Sequence, residues 1–389
     1  MAPELTLEIA ELKEYTKSLY HCADCSYCVD AVWEERHLAH VCPTLEHHSS
    51  ALSYSGRGYI SLARALLEGE EFPLEDVASR VFTCTSCGNC DRACPIGLSP
   101  KNVNLALRTL LVNHGAAPSA LKQHYDQLPI TDPALMLGEE NSQSSVVSLD
   151  AVDTLIMPGC SANDDWADEF RAYYQVITSI KPNSTLLGAS SGTKATCCGA
   201  VSAELGDSDA AQKSFDAMTR QTTVFPRLEQ IIHLNPQCYA RCQDDNRVIG
   251  FASWLRDLLL NEQIVATLRT PVPQLACMNS CRNARENHII GELLEALGAP
   301  TPDSNFDSQY SMCCGARGAM PEMAPKAATD MALAAVRDTT HESCAELIIN
   351  PDPACLTHLR NSLATQPNGA TVMGLGEFVA TYFDFRHTS

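Results

Sequence analysis

Residues 84 to 95 read CTSCGNCDRACP, four cysteines and a proline within twelve residues. Thiolates packed this densely are soft metal ligands, suited to iron–sulfur clusters or zinc. Cys84, Cys87 and Cys90, then Cys94 before Pro95, follow the bacterial run in which three cysteines hold one cubane [4Fe–4S] cluster. In two-cluster proteins the fourth cysteine of that run serves the other cube. A second triplet is therefore required, and HCADCSYC supplies it as Cys22, Cys25 and Cys28. Its remote partner is Cys42, also followed by proline. The expected sets are Cys22, Cys25, Cys28 and Cys94 for cluster 1, and Cys84, Cys87, Cys90 and Cys42 for cluster 2. Cys28 and Cys42 are separated by an enlarged loop containing His37 and His40, which read as surface residues. Paired zinc sites are the alternative, although three evenly spaced cysteines plus Cys-Pro fit tetrahedral zinc poorly.

Eleven more cysteines lie between Cys160 and Cys355, and their spacing shows an internal duplication. LIMPGC (155–160) pairs with PQLACMNSC (273–281), TCCGA (196–200) with MCCGA (312–316), and IIHLNPQC (231–238) with LIINPDPAC (347–355). Cys160 precedes Cys277 by 117 residues, Cys197 precedes Cys313 by 116, and Cys238 precedes Cys355 by 117. The candidate ligands are Cys160, Cys197, Cys198 and Cys238 in the first module, and Cys277, Cys313, Cys314 and Cys355 in the second. Cys242, Cys281 and Cys344 are extra. Cys242 and Cys281 follow a core cysteine by four residues, one helical turn. Buried structural thiols are the alternative for both modules.

The elements that must hold these thiols are legible as patterns. YISLARALLEG (59–69) and KNVNLALRTLLVNHG (101–115) carry helical periodicity and end at Gly69 and Gly115. In the duplicated part, short apolar runs (TLIM, QIIHL, ELIIN) read as buried strands. DEFRAYYQVITSI, RENHIIGELLEALG and PEMAPKAATDMALAAVRD read as helices between them. Alternating strands and helices predict a largely parallel sheet, with cysteines converging at strand carboxyl ends. The two modules are expected to face each other. The expected class is α+β: a helical ferredoxin-like two-cluster domain over residues 1–125, a linker over 126–150, and a duplicated α/β domain. Its modules run over 151–268 and 269–389.

A net charge of −20 over 389 residues argues against nucleic acid as a partner. The opening MAPELTLEIAELKEY has no basic end before an apolar core, so no secretory signal is expected. No apolar run is long enough to span a membrane. Nineteen cysteines in a chain expected to be cytoplasmic read as thiols or metal ligands.

Two CxxCxxC…CP motifs followed by two C…CCG…C modules resemble the iron–sulfur subunits of heterodisulfide reductases and of glycolate or lactate oxidases. SGRGYISLARALLEG (55–69) is similar to the segment connecting the two cluster motifs of those subunits. The resemblance covers about residues 20 to 360. It implies two [4Fe–4S] clusters, with one further iron–sulfur cluster in the CCG domain. It also implies relay of electrons from a flavoprotein 2-hydroxy-acid dehydrogenase toward a quinone or other acceptor, peripherally at the inner face of the membrane. The chain has no Gly-rich dinucleotide fingerprint, so the flavin is expected on another polypeptide. Disulfide reduction, or service to an electron-transfer flavoprotein or hydrogenase-type complex, are the alternatives. In the complete CCG motif the last cysteine belongs to a CxxC pair, but Asn235 and Asp352 occupy the earlier position here. That departure argues against thiol–disulfide chemistry. His233, His358 and Arg317 are expected near the modules as cluster surroundings, and no catalytic residue is assigned.

Overall fold

A computed structural model describes residues 9–30, 41–121, 148–159, 166–187, 197–282, 287–299, 312–341, 344–365 and 370–388. Of the expected linker over 126–150, only 148–150 lie inside this range. Cys160, His37 and His40 lie outside it. The chain forms two compact units. The first takes residues 1–127 together with 201–211 and 315–331, and the second takes the rest.

The first unit is helical. Helix α1 (Gly56–Leu67) begins at Ser55, whose Oγ accepts the N–H of Gly58, and buries Tyr59, Ile60, Ala63 and Leu66 along one stripe. After it Gly69 adopts the left-handed conformation (φ 86°) and donates its N–H to Leu66 O. Short helices α2 (Leu74–Val81) and α3 (Asn89–Ala93) lead to α4 (Pro100–Asn113). Pro100 sits in the first turn of α4, and Ser99 Oγ caps it by accepting the N–H of Asn102. Helices α1, α2 and α4 close around Tyr59, Val77, Val81, Phe82, Val103, Leu107, Leu110 and Leu111. Leu205 and Ala319 complete this core, with Val201 and Met323 against it. Burying these side chains is what recruits the two segments that follow the CCG motifs.

The second unit holds two parallel sheets. Strands β1 (Thr154–Met157), β2 (Ser184–Leu186), β3 (Gln230–His233) and β4 (Val248–Gly250) are ordered β2-β1-β3-β4. A two-stranded antiparallel ribbon joins β5 (Ile264–Leu268) to β9 (Phe383–His387). Strands β6 (Leu275–Cys277), β7 (Leu347–Asn350) and β8 (Thr371–Gly374) form the second parallel sheet, ordered β6-β7-β8. TLIM and LIIN are buried along their whole length, as parallel strands covered on both faces require.

Helices of this unit include α5 (Ala167–Ile180), α6 (Pro236–Cys242), α7 (Phe251–Leu260), α8 (Asn287–Ala296), α9 (Pro353–Thr365) and α10 (Leu375–Tyr382). The modules exchange contacts reciprocally. Helix α5 of the first packs on α10 of the second, and α8 of the second packs on α7 of the first. Arg256 Nη1 fixes the latter pair to Glu292 at 2.5 Å. Duplicated modules that face each other in this way give the α+β class with an α/β second half.

Candidate metal centres

The two cysteine loops of the first unit are curled by left-handed residues: Asp24 and Ser26 within the first triplet, Ser86 within the second. Such backbone is strained for side chains other than glycine and persists where surrounding bonds hold it. Here α1 does so. Arg64 Nη2 reaches Asp24 Oδ1 at 2.8 Å, and Arg57 Nη1 donates to Ser26 Oγ at 2.6 Å. Backbone N–H groups already point at sulfur, from Ser86 to Cys84 Sγ and from Leu98 to Cys94 Sγ, both at 3.3 Å.

The eight thiols gather as two sets. Burial pushes Cys28 up to about 11, and Cys22, Cys25 and Cys94 add their repulsion. Burial also raises Cys42, with Cys84 and Cys87 contributing. Cys90 is raised by burial, by Asp91, and then by Cys87, Cys84 and Cys42. Cys94 thus lies with the first triplet and Cys42 with the second. Clustered thiols that repel one another as thiolates need a local positive charge to ionise together, and an iron–sulfur core supplies it. The donor set fits that group.

The sets are close to each other. A Cβ built on Gly56 would stand 3.0 Å from Cys90 Cβ, 3.0 Å from Pro100 Cβ and 3.4 Å from Cys28 Cβ. One glycine therefore separates a cysteine of each set, and no larger residue fits between them without displacement.

In the second unit, Cys198 Sγ lies 3.1 Å from Cys238 Sγ, and both are buried. Gly199 donates its N–H to Cys197 Sγ at 3.3 Å. Burial raises Cys242 to about 12, and Cys238 and Cys197 are among the charges acting on it. Arg241 Nε donates to Cys198 O at 2.8 Å. This module brings Cys197, Cys198, Cys238 and Cys242 together.

The second module differs from the spacing argument. Ile156 of β1 lies opposite Ile232 of β3, and Cys277 of β6 lies opposite Ile349 of β7. Ile232 and Ile349 each stand six residues before their module's final cysteine. Cys277 therefore occupies the place of Ile156, and Cys281, four residues later, corresponds in sequence to Cys160. Burial lifts Cys277 to about 12, and among the described residues no other cysteine acts on it. Cys355, by contrast, is raised by its bond to Cys314 first, then by burial, with Cys281 among the charges acting on it. The register thus aligns Cys281, rather than Cys277, with the first module's Cys160, while the equal 117-residue offset favours Cys277.

Asn235 and Asp352 have a structural task. Asn235 Oδ1 accepts the N–H of Gln237 at 2.9 Å and caps α6. Asp352, fully buried, accepts the N–H groups of Ala354 and Cys355 at 3.0 and 3.3 Å and the Ser280 hydroxyl at 3.0 Å. His233 is buried with its pKa lowered to about 4 by desolvation, and among the described residues Nδ1 has no partner. It lines a cavity of about 30 Å³ with Ser280 and Pro351. Cys344 is exposed.

Residues 18–98 match the family model of a 4Fe–4S dicluster domain, and residues 273–360 match that of a cysteine-rich domain. Over 334 residues the chain is 20% identical to the fourth-lettered (D) component of the dihydromethanophenazine:CoB–CoM heterodisulfide reductase of Methanosarcina barkeri, covering 79% of each chain. The two matched domains and this relative support a likeness to the iron–sulfur proteins of the heterodisulfide reductase and glycolate oxidase type. The chain is an iron–sulfur electron-transfer protein related to that reductase component. Among its described residues no helix is long and apolar enough to cross a membrane.

Arg57, Arg64, Tyr59 and Arg108 were not readable as site residues. The first two sit seven residues apart on one face of α1, a spacing that only the fold of the first cysteine loop makes meaningful.

Proposed function

We propose that this chain is the relay subunit of an oxidoreductase complex. Two [4Fe–4S] clusters are held by Cys22, Cys25, Cys28 and Cys94, and by Cys42, Cys84, Cys87 and Cys90. A flavoprotein dehydrogenase acting on a 2-hydroxy acid of the glycolate or lactate class donates the electrons, and a quinone-linked or other carrier accepts them. When bound, the clusters supply one-electron storage, and the thiolates ligate every iron so that no substrate bond is required. The observation that carries the reading is Gly56, which holds Cys28 and Cys90 on either side of a single residue. Two groups placed so closely serve transfer between them.

A further cluster is proposed for the first CCG module on Cys197, Cys198, Cys238 and Cys160, with Cys242 beside it. In the second module the proposed set is Cys281, Cys313, Cys314 and Cys355. Disulfide reduction is the second reading, favoured by the name of the relative. Against it stand Asn235 and Asp352, which cap helices where the complete motif has cysteines.

The test is a Cys94→Ser variant of the anaerobically purified chain. Iron and sulfide analysis with electron paramagnetic resonance should show the cluster of the first triplet damaged and that of the second intact. Loss confined to the second triplet's cluster would overturn the assignment. Cleavage of a heterodisulfide by the isolated chain, abolished by Cys197→Ser or Cys313→Ser, would establish the second reading instead.

A further inference from the structure

Arg108 lies on α4 with none of its surface exposed. Its Nε and Nη2 donate to Val81 O at 3.0 and 2.8 Å, Nη2 also to Cys84 O at 2.5 Å, and Nη1 to Glu204 O at 2.8 Å. Its guanidinium stands 5.3 Å from the centre of the Phe82 ring. Every acceptor is a backbone carbonyl, and among the described residues no carboxylate comes within ion-pair reach. Capping the end of α2 through Val81 accounts for part of this arrangement. It does not account for the charge, because a desolvated cation without a counter-ion costs several kcal/mol.

The charge has one nearby use. It acts on Cys84, drawing the thiol down against the larger effect of burial. Tyr59 stands beside it, 1% exposed, and its single hydroxyl proton, donated to Tyr54 O at 3.2 Å, can turn instead to the neighbouring sulfur of Cys84. A cubane ligated by four thiolates carries net negative charge, and reduction adds one more. The Cys25 side of the first set is exposed, so water screens that added charge. The second set is enclosed, and reduction there would be opposed by burial and by Asp91 beside Cys90. Ser99 Oγ and the N–H of Lys101 hold the Asp91 carboxylate at 2.6 and 2.9 Å.

We propose that Arg108 and the Tyr59 hydroxyl raise the reduction potential of the cluster held by Cys42, Cys84, Cys87 and Cys90. The inference rests on the two-cluster reading above and adds a tuning role to it. With this support a cluster held by Cys42, Cys84, Cys87 and Cys90 would be able to take one electron from one held by the first set, the first being oxidised as the second is reduced. No bond is made or broken and no proton moves. Arg108 is a positioning and charge-supplying residue, since it touches the ligand loop and not a substrate.

The experiment is a redox titration of the full-length holoprotein with dithionite as reductant, each cluster followed by electron paramagnetic resonance after iron and sulfide have been assayed. In Arg108→Gln, one cluster should show at least a tenfold fall in its reduced-to-oxidised ratio at fixed potential, equivalent to 59 mV for one electron. The other cluster should titrate as in the unmodified chain. Arg108→Lys keeps the charge and should shift the ratio less than threefold. Tyr59→Phe should shift the same cluster in the same direction as Arg108→Gln, by about threefold. An unchanged potential in iron-loaded Arg108→Gln, or an equal shift in Arg108→Lys, would show the role to be structural and sink the proposal. Should Arg108→Gln fail to load iron, Tyr59→Phe decides, and no shift there overturns the inference. Absence of two clusters in the unmodified chain would instead refute the two-cluster reading.

Discussion

The carboxylate of Asp352 accepts the backbone N–H of Cys355, three residues further along the chain. The same oxygen takes the N–H of Ala354, and the second oxygen takes the Ser280 hydroxyl. A helix start that sets the position of a candidate ligand is thus built by the residue standing where the complete motif would have a cysteine. Asp352→Ala should lower stability by about 2–3 kcal/mol, combining the lost cap with the stranded buried hydroxyl. Asp352→Asn keeps an acceptor oxygen and should lose less than half as much. Urea unfolding of the three proteins measures both, and equal losses in the two variants would contradict the capping account.

Gly56 offers a second test. At a first-turn helix position, alanine normally improves on glycine by about 1 kcal/mol. Here the new Cβ would meet Cys90 and Pro100 at 3.0 Å, and neither can retreat because one is a ligand and the other starts α4. Overpacking of this kind costs about 1–3 kcal/mol, so the clash outweighs the propensity gain. Gly56→Ala should lower the thermal midpoint of the holoprotein and its iron content together. A variant that is more stable and fully loaded would show that the two cysteine loops can part freely.

How much of this was legible beforehand depends on how local the physics is. The expected quartets follow from the reach of a short loop around a cube, and that argument needs only spacing. Strands TLIM, QIIH and LIIN were visible as continuous apolar runs, and helices α1 and α4 by their period and closing glycines. The position of Cys281 was hidden, because an equal offset pointed at Cys277 and only the β6–β7 register separates the two. Arg108 was hidden for another reason. Its partners are carbonyls of Val81, Cys84 and Glu204, and a carbonyl has no sequence signature. The transfer of 201–211 and 315–331 to the helical unit rests on a few apolar contacts that no periodic pattern announces.

The register makes its own prediction. Cys281→Ser should remove any cluster carried by the second module, whereas Cys277→Ser should leave iron content unchanged. Among the described residues no other thiol acts on the desolvated Cys277, and serine at a strand end changes little there. Mössbauer spectra of iron-labelled protein compare the two variants. Iron lost on replacing Cys277 and retained on replacing Cys281 would restore the assignment that spacing suggested.

Glu169 links the modules and gives them a pH response. Its carboxylate on α5 accepts the N–H groups of Gly376 and Glu377 at the start of α10, each at 2.7 Å. Burial pushes it up to about 7 from an ordinary 4.5, against those two N–H groups, while Glu377 adds repulsion. The folded state therefore holds a proton that the unfolded state releases, and this contribution is full below about 4.5. Stability from this group falls as pH rises through 7, by about 3 kcal/mol at most. His233 works in the opposite sense at lower pH. Its pKa is lowered to about 4 by burial, so its contribution is lost as pH falls below the ordinary 6.5. The two overlap between pH 4.5 and 6.5, so the wild-type profile alone is not diagnostic there. Glu169→Gln stays neutral at every pH and isolates the carboxylate. The stability difference between wild type and Glu169→Gln, from urea unfolding, should shrink or reverse as pH rises from 5 to 8. A difference independent of pH over that range would show that Glu169 does not titrate in the folded protein, and the coupling of α5 to α10 would then be insensitive to protons.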